Sequence, residues 1–128
     1  MPAFGENGPC EVFYEKWVDI PHSKLTLKKG IFKSLLDGKV LYGCEVEFKS
    51  HASKVPGDKV FERFESLTHT PGWVTDNVAD GPGTSTVVIE REKSRCFLHW
   101  SQHSWVDEES KEVKQSEDIE VMIQCFSK

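Results

Sequence analysis

Apolar and polar residues alternate through the C-terminal stretch 119–126. Ile119, Val121, Ile123 and Cys125 fall on one side of an extended strand, and Glu120, Met122, Gln124 and Phe126 on the other. A strand there needs neighbours for its backbone N–H and C=O groups, so it is expected to complete a sheet begun earlier in the chain. Residues 40–49 repeat the pattern, with Val40, Tyr42, Cys44, Val46 and Phe48 on the apolar side and Gly43 marking a bulge or the close approach of another backbone. Residues 86–90 and 95–100 are two further strands joined by a charged turn, and they should pair antiparallel as a hairpin. Residues 11–18, rich in aromatic and β-branched side chains, also favour a strand, with Glu15 and Lys16 marking an edge. A short strand is expected at 73–76.

Two stretches break the period of two. Across residues 22–38, Leu25, Leu27, Ile31, Phe32, Leu35 and Leu36 form an uneven apolar stripe. It fits one short helix near residues 29–36, with Ile31 and Leu35 as i and i+4 neighbours, and equally a hairpin through Asp37-Gly38. Residues 59–67 read as extended, but Phe61 and Phe64 do not share a strand face, which demands a bulge or a helical turn. Residues 50–58, the Pro71-Gly72 turn and the Gly81-Pro82-Gly83 turn are loops, and 106–118 is a charged connection. The expected fold class is mainly β: a single-domain antiparallel sandwich or open barrel, with a flexible arm over residues 1–10 and a single β domain over 11–128.

Composition supports one core and narrows the partners. In 128 residues, eight Phe and four Trp supply large side chains to bury. The formal charge of −5 argues against broad attraction to nucleic acid or anionic lipid. Lys24, Lys28, Lys29 and Lys33 read as the solvated side of one segment, and three arginines are too few for a nucleic-acid surface. Neither a signal-peptide pattern nor an apolar run of membrane-spanning length occurs, so a cytoplasmic protein without membrane association is expected. The four cysteines are widely spaced with no C-x-x-C pair. In that setting free thiols are expected, with Cys44, Cys96 and Cys125 buried as small hydrophobes and Cys10 exposed in a polar setting.

No motif names a reaction. His99 and His103, with His51 or His69, are the histidines to test as a metal set, because imidazole nitrogen suits zinc. On a continuous strand, however, His99 and His103 stand about 13 Å apart at roughly 3.3 Å per residue. No metal or cofactor is therefore assigned. Cys96 and His99 face opposite sides of a strand, which disfavours a thiol–imidazole pair. The stretch 80–85 lacks the Lys and the spacing of a phosphate loop.

The recognition candidates are Trp73 and Trp105 in loops, Arg63 as a bidentate donor, and His99 and His103. Trp17 and Trp100, inside regular apolar runs, are assigned to the core. The functional expectation is a non-enzymatic recognition module for a protein segment or small molecule. The alternative is a small β-barrel enzyme using histidine acid/base chemistry in an internal cavity. Exposed sheet edges also leave room for a homo-oligomer.

Overall fold

Asp118–Ser127, designated β8, lies at the centre of the sheet that its alternation anticipates. It pairs antiparallel with β2 (Val40–His51) on one side and with β5 (Ser94–Ser101) on the other. The structure, a computed structural model, describes residues 9–34, 38–81 and 83–127. β1 (Ser23–Lys33) flanks β2, while β4 (Thr84–Arg91) and β3 (Val74–Gly81) continue beyond β5. The six-stranded order is β1-β2-β8-β5-β4-β3, every pairing is antiparallel, and β1 and β3 are edges, so the sheet does not close into a barrel. A separate two-stranded ribbon, β6 (Ser104–Val106) with β7 (Val113–Gln115), forms inside the charged connection. The β4–β5 hairpin has the pairing expected from sequence, with Thr86 opposite His99 and Glu90 opposite Arg95.

Register aligns the apolar side chains into rows across the sheet. Leu27, Val46, Ile123, Leu98 and Val87 are successive cross-strand neighbours in one row. Lys29, Cys44, Cys125, Cys96 and Ile89 make the next. One-residue slippage would turn each row to the opposite face, so burial of these positions pins the register. Against this face pack α1 (Pro9–Glu15) and α2 (Gly57–Thr68), whose Cys10, Phe13, Val60, Phe64 and Leu67 belong to the same buried cluster. Among the described residues no helix is long and apolar enough to cross a membrane.

The helices correct two readings of the sequence. The expected strand at 11–18 is instead helix followed by turn. Pro9 opens it, where a missing N–H costs no hydrogen bond, and Cys10, Phe13 and Trp17 at i, i+3 and i+7 are fully buried. Residues 59–67 are helical because Val60, Phe64 and Leu67 share one face, which resolves the mismatch of Phe61 and Phe64 in favour of the helical turn. Conversely, the short helix considered near residues 29–36 gives way to a strand through Lys33, since Leu25 and Leu27 gain Phe48 and Val46 as cross-strand neighbours. Residues 35–37 of that reading, and residues 1–8 of the expected arm, lie outside the described residues. Pro9 and Cys10 belong to α1.

The expectation of free thiols is overturned, and so is that of an exposed Cys10. Cys10 is bonded to Cys44 and Cys96 to Cys125, and all four are buried. The reason is register: Cys96 stands directly opposite Cys125, and α1 places Cys10 over Cys44. Beside them Gly43 is required. A Cβ there would collide with the Cys125 carbonyl oxygen and the Phe126 ring, so its lack of a side chain lets β8 approach.

Candidate functional site

One row of the covered face changes from apolar to polar as it crosses the sheet. Leu25, Phe48, Val121 and Trp100 lead to Ser85 and then to Asp80 at the β3 edge. Ser85 is buried at an inward strand position where the period of two calls for an apolar side chain, and its Oγ donates to Asp80 Oδ1 at 2.5 Å. Above this polar end α2 presents Phe61, whose ring meets Trp100 edge-on at 4.8 Å between centroids.

Two adjoining hollows result, with Phe61, Asp80 and Ser85 in the walls of both. One, of about 240 Å³, is completed by Phe64, Glu65, Thr68, His69, Thr75 and Val87. The other, of about 370 Å³, runs past Trp100 to Asp58, Thr84, Gln102 and Gln115. Together they form a groove with an aromatic side, several amide and hydroxyl groups, and the carboxylates Asp58, Glu65 and Asp80; among the described residues no Lys or Arg lines either hollow. Such an arrangement attracts cationic donors and repels phosphate or carboxylate.

The residues singled out from sequence take other positions. Trp105 lies on the ribbon, 44% exposed, and stacks on His103 at 5.9 Å between centroids, so these two are brought together. Trp73 is half-buried and packs against Phe13 of α1 at 5.5 Å. Arg63 donates to Asp19 at 2.7 and 3.2 Å and to the Lys16 carbonyl, tying α2 to the turn after α1. That guanidinium holds the exposed Asp19 carboxyl below its ordinary range. On the ribbon, Asp107 accepts backbone N–H groups from Glu109 and Ser110 and pairs with Lys114 at 3.3 Å.

His99 occupies the opposite face of the sheet from Cys96, with its Nδ1 2.8 Å from Thr86 Oγ1 and its ring stacked on Phe97. His51 contacts Glu117 at 3.2 Å at the end of β2, and His69 caps α2, so the four histidines do not assemble into a metal set. Partial burial lowers the pKa of His99, opposed by the charge of Glu120. A lowered folded-state pKa means that the unfolded chain binds the proton more readily. The stability contributed by neutral His99 is therefore complete above about pH 6.5 and is lost as pH falls through the folded-state value. An NMR titration of its ring should show a midpoint below 6.5, and His99→Gln should weaken the acid-side fall in thermal midpoint. A midpoint above 6.5 would contradict this reading.

The groove residues Phe61, Asp80, Ser85, Trp100 and Gln102 were not among the sequence candidates. By sequence Ser85 falls in the 80–85 turn; the legible signal is that it extends the alternation of Val87 and Ile89 one step before the strand expected at 86–90. No family model matches this chain, and no curated protein or solved structure matches it either.

Proposed function

We propose that this small, mostly β, disulfide-stabilised domain is a non-enzymatic recognition module, and that its ligand is a small organic cation held in the groove between α2 and β3–β5. The carrying observation is the joint wall of Phe61, Asp80 and Ser85 in a groove lined, among the described residues, by three carboxylates and no Lys or Arg. The larger hollow, of about 370 Å³, has the scale of a small-molecule site, and an ammonium beside an aromatic face gains about 0.5–2 kcal/mol, more as water is excluded. Asp80, already oriented by Ser85, supplies the counter-charge.

The enzyme alternative finds less support. His51 and His99 line neither hollow; His69 lines the smaller one with Glu65 and Asp80, but it sits at the C-terminal end of α2 and the Asp80 carboxylate is engaged by Ser85. The two disulfides favour an oxidising compartment over the cytoplasmic location expected from sequence, since disulfides persist mainly in oxidising compartments.

Amide-resolved NMR titration of the full chain with phenethylammonium, glucose and inorganic phosphate tests the reading. Phenethylammonium should produce saturable shifts at Phe61, Asp80, Ser85 and Trp100, with glucose and phosphate leaving them in place. Asp80→Asn should weaken the amine by about tenfold, the loss of one charge-assisted hydrogen bond. Shifts confined to other surfaces, or equal binding by the Asn variant, would refute the assignment.

A further inference from the structure

Cys44, Cys125 and Cys96 occupy one row on three neighbouring strands, β2, β8 and β5. Cys10 reaches the same row from α1. The sulfur atoms of Cys10, Cys44 and Cys125 lie within 4.8 Å of one another although the first two belong to one disulfide and the third to the other. We propose that, when both disulfides are reduced, Cys10, Cys44 and Cys125, with Cys96 beside them, bind one zinc ion.

The geometry favours a metal over four loose thiols. A tetrahedral thiolate site with Zn–S of about 2.3 Å separates its sulfurs by roughly 3.8 Å, so the three sulfurs need only small side-chain rotations to meet it. Three of the ligands are also neighbours in the sheet ladder, so a reduced chain that keeps this ladder keeps the three together without the S–S bonds. All four cysteines are fully buried, and among the described residues no carboxylate or imidazole joins the cluster of Cys10, Cys44 and Cys125, a donor set soft enough to select zinc over calcium or magnesium. Four thiolates around Zn²⁺ carry excess negative charge. Lys29, directly opposite Cys44 on β1, lies in the same row but is paired with the Glu11 carboxylate of α1, so it offsets little of that charge.

The chemistry balances with a dithiol reductant. Each disulfide takes two electrons and two protons from a dithiol, which leaves as its own disulfide, and the arriving ion displaces the protons of the thiols that it ligates. The domain would thus exchange two covalent cross-links for one metal cross-link at the same place in the core.

Cobalt reports the site directly. The full chain, reduced with a phosphine under anaerobic conditions and freed of metal, is titrated with Co²⁺ and then with Zn²⁺. One equivalent of cobalt should give tetrahedral ligand-field bands with thiolate charge transfer, zinc should bleach them, and the thermal midpoint of the reduced chain should rise with metal. The oxidised chain should give no bands, and Cys125→Ser should weaken binding at least 100-fold. If reduction unfolds the chain, recovery of its far-ultraviolet circular dichroism on adding zinc supports the site. Absent bands, bands without a raised midpoint or recovered fold, or unimpaired binding by Cys125→Ser would overturn it.

Discussion

Replacing Cys10 and Cys44 together by Ala should cost the metal-free protein about 3 kcal/mol, and replacing Cys96 and Cys125 should cost a similar amount. Bridges spanning separations of 34 and 29 residues restrict the unfolded chain by about 3.5 kcal/mol each in the chain-entropy account. The two loops do not overlap in sequence, so their effects on the unfolded state should add. The sulfurs of Cys10, Cys44 and Cys125 lie within 4.8 Å of one another in the folded state, so the packing part should not. The first pair has a second consequence: it joins α1 to the sheet, and its loss should raise amide exchange over residues 10–17 selectively. Chelator-treated denaturant titrations of both double variants measure the cost. A loss below about 1 kcal/mol in either would mean that the packing of the row, rather than the bonds, holds this part of the core.

Phe64→Ala should destabilise the domain by about 3–5 kcal/mol, whereas Phe61→Ala, three residues away, should cost about 1.5 kcal/mol. Phe64 is 1% exposed and belongs to the shared core, so truncation leaves a cavity that helix and sheet cannot both close. Phe61 is only partly buried, at the groove margin against Trp100. Against a total stability of the usual 5–15 kcal/mol, the first change approaches unfolding and the second does not. Although Phe64 also lines the smaller hollow, the pair separates stability from binding on one helix: Phe61→Ala should remain folded while losing phenethylammonium binding. Equal destabilisation by the two substitutions would remove that distinction.

Strands with one buried face were legible because alternation is a local signal. The stretches at 40–49, 86–90, 95–100 and 119–126 are strands, and Cys44, Val46, Phe48, Ile119, Val121, Ile123 and Cys125 face inward. The helices were harder. Phe13, Tyr14 and Trp17 have the composition of a strand, and only the spacing of Cys10, Phe13 and Trp17 marks their helical face. In the site, aromatic residues in loops drew attention to Trp73 and Trp105. The groove instead uses Trp100, assigned to the core because its strand is regular, together with Ser85 and Asp80, brought side by side by the β3–β4 hairpin.

By itself the sequence determined which side of each clear strand is apolar, and hence a mainly β domain with one buried sheet face, because the two-residue period follows from backbone geometry alone. Only the tertiary structure decided that β8 runs between β2 and β5, that four distant cysteines meet in one row, and that Phe61 closes over Asp80 and Ser85. Those arrangements depend on which segments become neighbours, and side-chain spacing within a segment carries no record of the neighbour it will meet.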